Sequence, residues 1–170
     1  MNLKLFTVRV ISTGILLSYT NLLSDFPMPR YTETQCMTAN IFFEARGESM
    51  KGMQAVAAVT YNRLKSKLYP KDVCSVVFDK NQFSWVKQVD FKYARNILEG
   101  DLSDLNQKDT RQYYLAKQIA QQSVKEVSSV LPKGTMWYHT LQVKPRWAKS
   151  KIFVKKIGRH LFYTSKKEQK

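Results

Sequence analysis

The run Phe42-Phe43-Glu44-Ala45-Arg46-Gly47-Glu48 holds the densest chemistry in the chain. A carboxylate that follows two aromatic rings near a helix C-terminus is pushed toward its protonated form twice. Burial against apolar surface disfavours the charge, and so does the negative end of the helix dipole. Arg46 opposes both effects if it reaches Glu44. A carboxylic acid kept protonated near neutrality is what a glycosidase uses to protonate a departing sugar oxygen. Glu48 would share a face with Glu44 on a continuing helix, but Gly47 is placed to end that helix. On these residues alone, the pair also reads as two solvated glutamates at a helix end.

Other reactive residues are few. Cys36 and Cys74 lie 38 positions apart and are the only cysteines. In an exported chain their natural use is a disulfide. Zinc-ribbon spacing, with paired C-x₂-C knuckles, is absent. A scattered Cys₂His₂ site with His139 and His160, or a cysteine nucleophile beside a histidine, are the alternatives. Trp85, Trp137 and Trp147 each suit stacking on a sugar ring, with core packing as the other use of the same side chain.

The elements that position these residues follow from periodicity and caps. Thr32 or Thr34 caps a helix through Cys36, Ile41 and Ala45, and a second helix spans Lys51 to Lys65. Asp72 caps a short helix through Val77. Phe91, Ala94 and Leu98 mark another that ends at Gly100, and Gln107 to Val127 is the longest periodic stretch. Ile152 to Val154 and Leu161 to Thr164 read as two short strands about a turn near Gly158. The fold class expected is mainly α (α+β) with a small C-terminal β element.

A length of 170 residues allows one compact domain. With 44% hydrophobic and 12% aromatic residues, disorder and fibrous classes are excluded. The net charge of +15 seeks a polyanion: nucleic acid, anionic lipid or an acidic polymer such as a bacterial wall. No zinc finger, basic zipper or RNA-binding aromatic run is present, so nucleic acid is not expected as a partner. Ten Lys/Arg against Glu168 crowd the stretch from Lys144 onward, as a solubilising tail or an anchor for an anionic substrate. Residues 1–30 carry Lys4 and Arg9 ahead of a short apolar stretch to Leu23, as in a signal peptide or signal anchor, with a buried first helix as the alternative. The expected division is therefore 1–30 for export, 31–165 for the catalytic domain and 166–170 for a basic tail.

The run Cys36 to Glu48, followed by Gly52, Ala55 to Val59 and Asn62-Arg63, resembles the opening of the spore-cortex-lytic type of cell wall hydrolase. The resemblance continues through Tyr69-Pro70, Val73-Cys74 and Gln82-Phe83-Ser84-Trp85. It resumes at Gly134, Tyr138-His139, Pro145, Trp147 and the terminal Ile157-Gly158-Arg159-His160-Leu161-Phe162-Tyr163. It implies a lysozyme-like domain that cuts the β-1,4 bond between N-acetylmuramic acid and N-acetylglucosamine in peptidoglycan. By the same resemblance Glu44 is the catalytic acid and Glu48 the motif's second glutamate. Gln82, Phe83, Ser84 and Trp85 lie on the glycan groove, and Tyr138 and His139 lie near the cleft. His160 is expected in a structural hydrogen-bonding role. Lytic transglycosylation needs only one glutamate, and it is the expected reaction, ahead of plain hydrolysis or a non-catalytic wall-binding role. Neither metal nor cofactor is required. The expected setting is an exported monomer in the periplasm, cell envelope or medium, held to the membrane if the N-terminal segment stays attached.

Overall fold

The computed structural model of the chain describes residues 31–80, 82–122, 126, 127 and 129–168. The proposed export segment, residues 1–30, lies outside them. Among the described residues, the helices α1 (Glu33–Ala45), α2 (Met50–Lys65), α3 (Val73–Phe78), α4 (Trp85–Gln88), α5 (Phe91–Glu99) and α6 (Gln107–Ala120) precede an antiparallel sheet of β1 (Trp137–Thr140), β2 (Ile152–Ile157) and β3 (His160–Thr164). The mainly helical reading with a C-terminal β element therefore holds. Among the described residues, no helix is long and apolar enough to cross a membrane.

The helix starts follow local chemistry. Thr32 and Gln35 form a reciprocal capping box at α1, and Ser49, Asp72, Asp90 and Asn106 each cap the helix they precede. Gly100 closes α5 in the left-handed conformation that its missing Cβ permits. Three expectations needed correction. The fourth helix, a single turn at Trp85–Gln88, is too short to show periodicity. The sixth stops at Ala120 instead of running to Val127. The sheet has three strands, because Trp137–Thr140 pairs with β3 although its four half-buried residues show no alternation.

α1 is the central helix, with Cys36, Ala39, Ile41 and Phe42 wholly buried, and it packs against α2, α3, α5 and α6. α2 is buried on most sides, since its Ala55 to Val59 run is fully covered. The sheet order is β1-β3-β2, which makes β2 an edge. Cys36 and Cys74 form a disulfide that ties α1 to α3, and free cysteines are absent. That removes the thiol-nucleophile and Cys₂His₂ readings. Replacing both cysteines with serine should lower unfolding stability by about 3–4 kcal/mol on loop-closure grounds. Urea unfolding of the two proteins measures it.

Candidate active site

Glu44 is the penultimate residue of α1 and lines a groove of about 600 Å³ between the helices and the sheet. Its Oε2 accepts a 3.0 Å hydrogen bond from the Tyr138 hydroxyl, and its Oε1 is buried without a partner. Burial raises the carboxyl above its ordinary pKa. The Tyr138 bond, the charge of Arg63 and the backbone amides of Ser84 and Trp85 oppose that rise without cancelling it. Arg46 takes no part: it donates to the Tyr93 hydroxyl at 3.1 Å and lies over the Phe42 ring. The cation beside the acid is Arg63.

The Asn62-Arg63 pair sets the opposite partner in place. Asn62 Nδ2 donates to the carbonyls of Pro132 and Thr135 at 3.2 and 3.0 Å, and Arg63 Nε donates to that of Met136 at 3.0 Å. The end of α2 thus grips the segment that feeds β1, two residues ahead of Tyr138. The Arg63 guanidinium also lies 4.7 Å from the centroid of the Phe83 ring. Sequence reasoning left this pair without a role. Two adjacent polar residues closing an apolar helix were the available signal, since buried polar groups need partners.

Asn40, on α1, supports the other wall. It donates to Thr60 Oγ1 and accepts from the Trp85 indole at 3.0 Å, and Phe43 stacks on that indole with ring centroids 4.6 Å apart. Gln82, Phe83 and Ser84 line the groove. Trp85 does not: it is buried beneath Phe43, because its indole N–H is satisfied by Asn40. Of the other tryptophans, Trp147 lines the groove and Trp137 sits under the Lys151 ammonium.

Tyr138 and His139 both line the groove. His139 Nδ1 lies 2.8 Å from the Thr140 carbonyl, which can only accept, so in the neutral ring Nε2 accepts from the Tyr163 hydroxyl at 2.9 Å. His160 packs edge-on to Tyr138, with Nδ1 buried and unpartnered, and burial pushes its pKa down.

Glu48 stands apart from the groove. α1 ends at Ala45 and Gly47 turns the chain at φ 88°, so the two glutamates share no helical face. Glu48 Oε1 accepts from Arg159 Nε at 2.6 Å, and Oε2 from the Arg159 backbone N–H at 3.3 Å. Burial alone would raise its pKa, but these bonds outweigh it and hold the carboxyl below its ordinary value. Two glycines make room for it. A Cβ on Gly52 would come 2.8 Å from Glu48 Cβ, and one on Gly158, at φ +55°, would overlap Oε2. Gly158→Ala should therefore cost about 1–2 kcal/mol for the left-handed backbone and about 1–3 kcal/mol for overpacking. Thermal unfolding measures the loss.

Among the residues lining the groove, Glu44 is the only carboxylate. Asp72 and Asp90 cap helices, Asp79 accepts from the Lys80 amide and Asp104 accepts from Asn96. No cluster of potential metal ligands occurs among the described residues. The arrangement is a desolvated acid with one side-chain hydrogen-bond donor on it and a buried cation nearby. It can give up a proton and then stabilise the carboxylate left behind.

The family model described as Cell Wall Hydrolase matches residues 47–163, a span that begins just after Glu44. The spore cortex-lytic enzyme of Halalkalibacterium halodurans is 28% identical over 133 residues, covering 76% of this chain and 34% of that protein. Its Bacillus cereus counterpart is 28% identical over 135 residues, covering 76% and 43%. The chain thus spans less than half the length of these curated relatives. The catalytic domain of the germination-specific lytic transglycosylase SleB from Bacillus anthracis superposes with a TM-score of 0.49 at 23% identity, over 81% of this chain and 99% of that domain.

Proposed function

Because the chain belongs to the cell wall hydrolase family, we propose that it cleaves peptidoglycan between N-acetylmuramic acid and N-acetylglucosamine by lytic transglycosylation. Glu44 supplies first the acid and then the base. The observation that carries this reading is that the only carboxylate lining the groove is also the one whose burial favours the protonated form.

In the first step Glu44 gives its proton to the glycosidic oxygen, the bond from that oxygen to C1 of muramic acid breaks, and the leaving sugar departs with a free 4-hydroxyl. The Tyr138 hydroxyl and the Arg63 charge stabilise the carboxylate formed. In the second step the 6-hydroxyl of the same muramic acid bonds to C1 while Glu44 takes its proton. The products are a 1,6-anhydro-muramic end and a regenerated acid, and no water is consumed. Hydrolysis through two carboxylates would need a second one about 5–10 Å from the first. Glu48 is not that residue, since its carboxyl is engaged with Arg159. Its role in this account is to fasten the β2–β3 turn to the α1–α2 connection.

Phe43, Gln82, Phe83, Ser84, Tyr138 and His139 form the walls that hold the glycan, with Trp147 as the ring-stacking surface. Such a substrate and the disulfide both support a working protein in the cell envelope or outside the cell. Digestion of purified peptidoglycan followed by mass spectrometry of the released muropeptides tests the proposal. Anhydro-muramic ends are expected, and reducing muramic ends from the same digest would overturn the transglycosylase reading.

A further inference from the structure

One wall of the groove is made by the segment between β1 and β2, and its residues alternate. Val143, Pro145 and Trp147 line the groove, whereas Lys144 and Arg146 between them are exposed. Neither forms a salt bridge among the described residues. Pro145 is extended, at φ −69° and ψ 142°, so the Cα atoms of the two cations lie about 6–7 Å apart along the rim. They open a stretch of nine Lys/Arg with no Asp or Glu, running to Lys167.

The rest of that stretch is placed differently. Lys155 and Lys156 lie on β2, an edge strand separated from β1 by β3. The sheet residues that line the groove, Tyr138 to Thr140 and His160, belong to β1 and β3. Arg159 is occupied by Glu48. Lys144 and Arg146 are the cations of this stretch that stand between groove-lining residues, and Lys87 on α4 lines the groove itself.

Where a muramic acid bears a stem, its lactyl carboxyl is tied up as an amide, so the glycan backbone there is uncharged. A cationic rim finds charge only on its substituents, and those borne by the muramic residues being cut are the carboxylates of the peptide stems. Resting on the groove as the glycan site, we infer that Lys144 and Arg146 bind stem-peptide carboxylates and make the chain selective for peptide-substituted over uncharged glycan.

The test reads binding apart from catalysis. Full-length Glu44→Gln protein, with and without Lys144→Gln and Arg146→Gln together, is co-sedimented with three insoluble preparations. They are intact peptidoglycan, the same material freed of phosphodiester polymers with hydrofluoric acid, and chitin, an insoluble β-1,4 glycan with neither stems nor lactyl carboxylates. Removing two exposed charge contacts should weaken binding to both stem-bearing preparations about three- to tenfold at low salt. Binding to chitin should be equal for the two proteins. Equal weakening on chitin, no weakening anywhere, or weakening lost with the phosphodiester polymers would each overturn the inference. Matching melting temperatures exclude misfolding. Stem-dependent binding by a wild-type chain that cuts nothing would instead sink the proposed reaction and leave the rim standing.

Discussion

Glu44→Gln should lose peptidoglycan cleavage by a factor on the order of 10²–10⁴, the range that a positioned general acid contributes. Glutamine fills the same volume and can still accept from Tyr138, so the fold should survive. The variant should also be the more stable protein at neutral pH. Burial holds the folded Glu44 carboxyl above its ordinary pKa, so the folded chain keeps a proton that the unfolded chain has released. From the ordinary carboxylate range up to the raised folded value, stability falls as pH rises. Glutamine carries no such cost. The melting-temperature gap should therefore be present at neutral pH and should close as pH falls below the ordinary carboxylate range. A variant that cuts at the parent's rate removes Glu44 from the mechanism. A variant destabilised at neutral pH removes desolvation as the source of its acidity shift.

Tyr138→Phe should lower kcat/KM by about 10- to 10²-fold, because a hydrogen bond to a charged group contributes about 1.5–3 kcal/mol. That bond strengthens in the transition state as Glu44 gives up its proton and becomes a carboxylate. Tyr138 is itself a donor across the working pH range, since burial and then the Glu44 charge push its pKa well above the usual value. Its effect on Glu44 has a definite sign. The bond favours the ionised carboxyl, so deleting it raises the Glu44 pKa further and keeps the acid protonated to higher pH. The plateau of the pH–rate profile should drop while its alkaline limb moves upward. A fall in rate with an unmoved limb would make Tyr138 a packing residue only.

Much of this site is legible in the sequence because local signals and site chemistry coincide along α1. Thr32 fixes where the helix begins and Gly47 where it cannot continue, so Glu44 falls at the end of a helix beside two rings. The disulfide is equally direct, there being only two cysteines to pair. What the sequence hides is which side chains meet across long separations. Tyr138 reaches Glu44 over 94 positions and Arg159 reaches Glu48 over 111. The spacing of two glutamates says nothing about either. Arg46, adjacent in sequence, turns to Tyr93, while Arg63 from the next helix supplies the charge at the acid. Trp85 looks like a sugar platform by type, yet a hydrogen bond from its indole to Asn40 places it under the platform. β1 escapes periodicity because four half-buried residues carry no alternation, and its partner β3 comes later in the chain.

A single carboxylate acting without water is the core of this account, and isotope labelling tests it most directly. Peptidoglycan is digested by the wild-type chain in ¹⁸O-labelled water, and the muramic ends are analysed by mass spectrometry. The account predicts unlabelled anhydro ends, because the 6-hydroxyl of the sugar closes the ring. An ¹⁸O atom at C1 of the released muramic acid would contradict it, since water would then be the nucleophile and a second base would have to act beside Glu44.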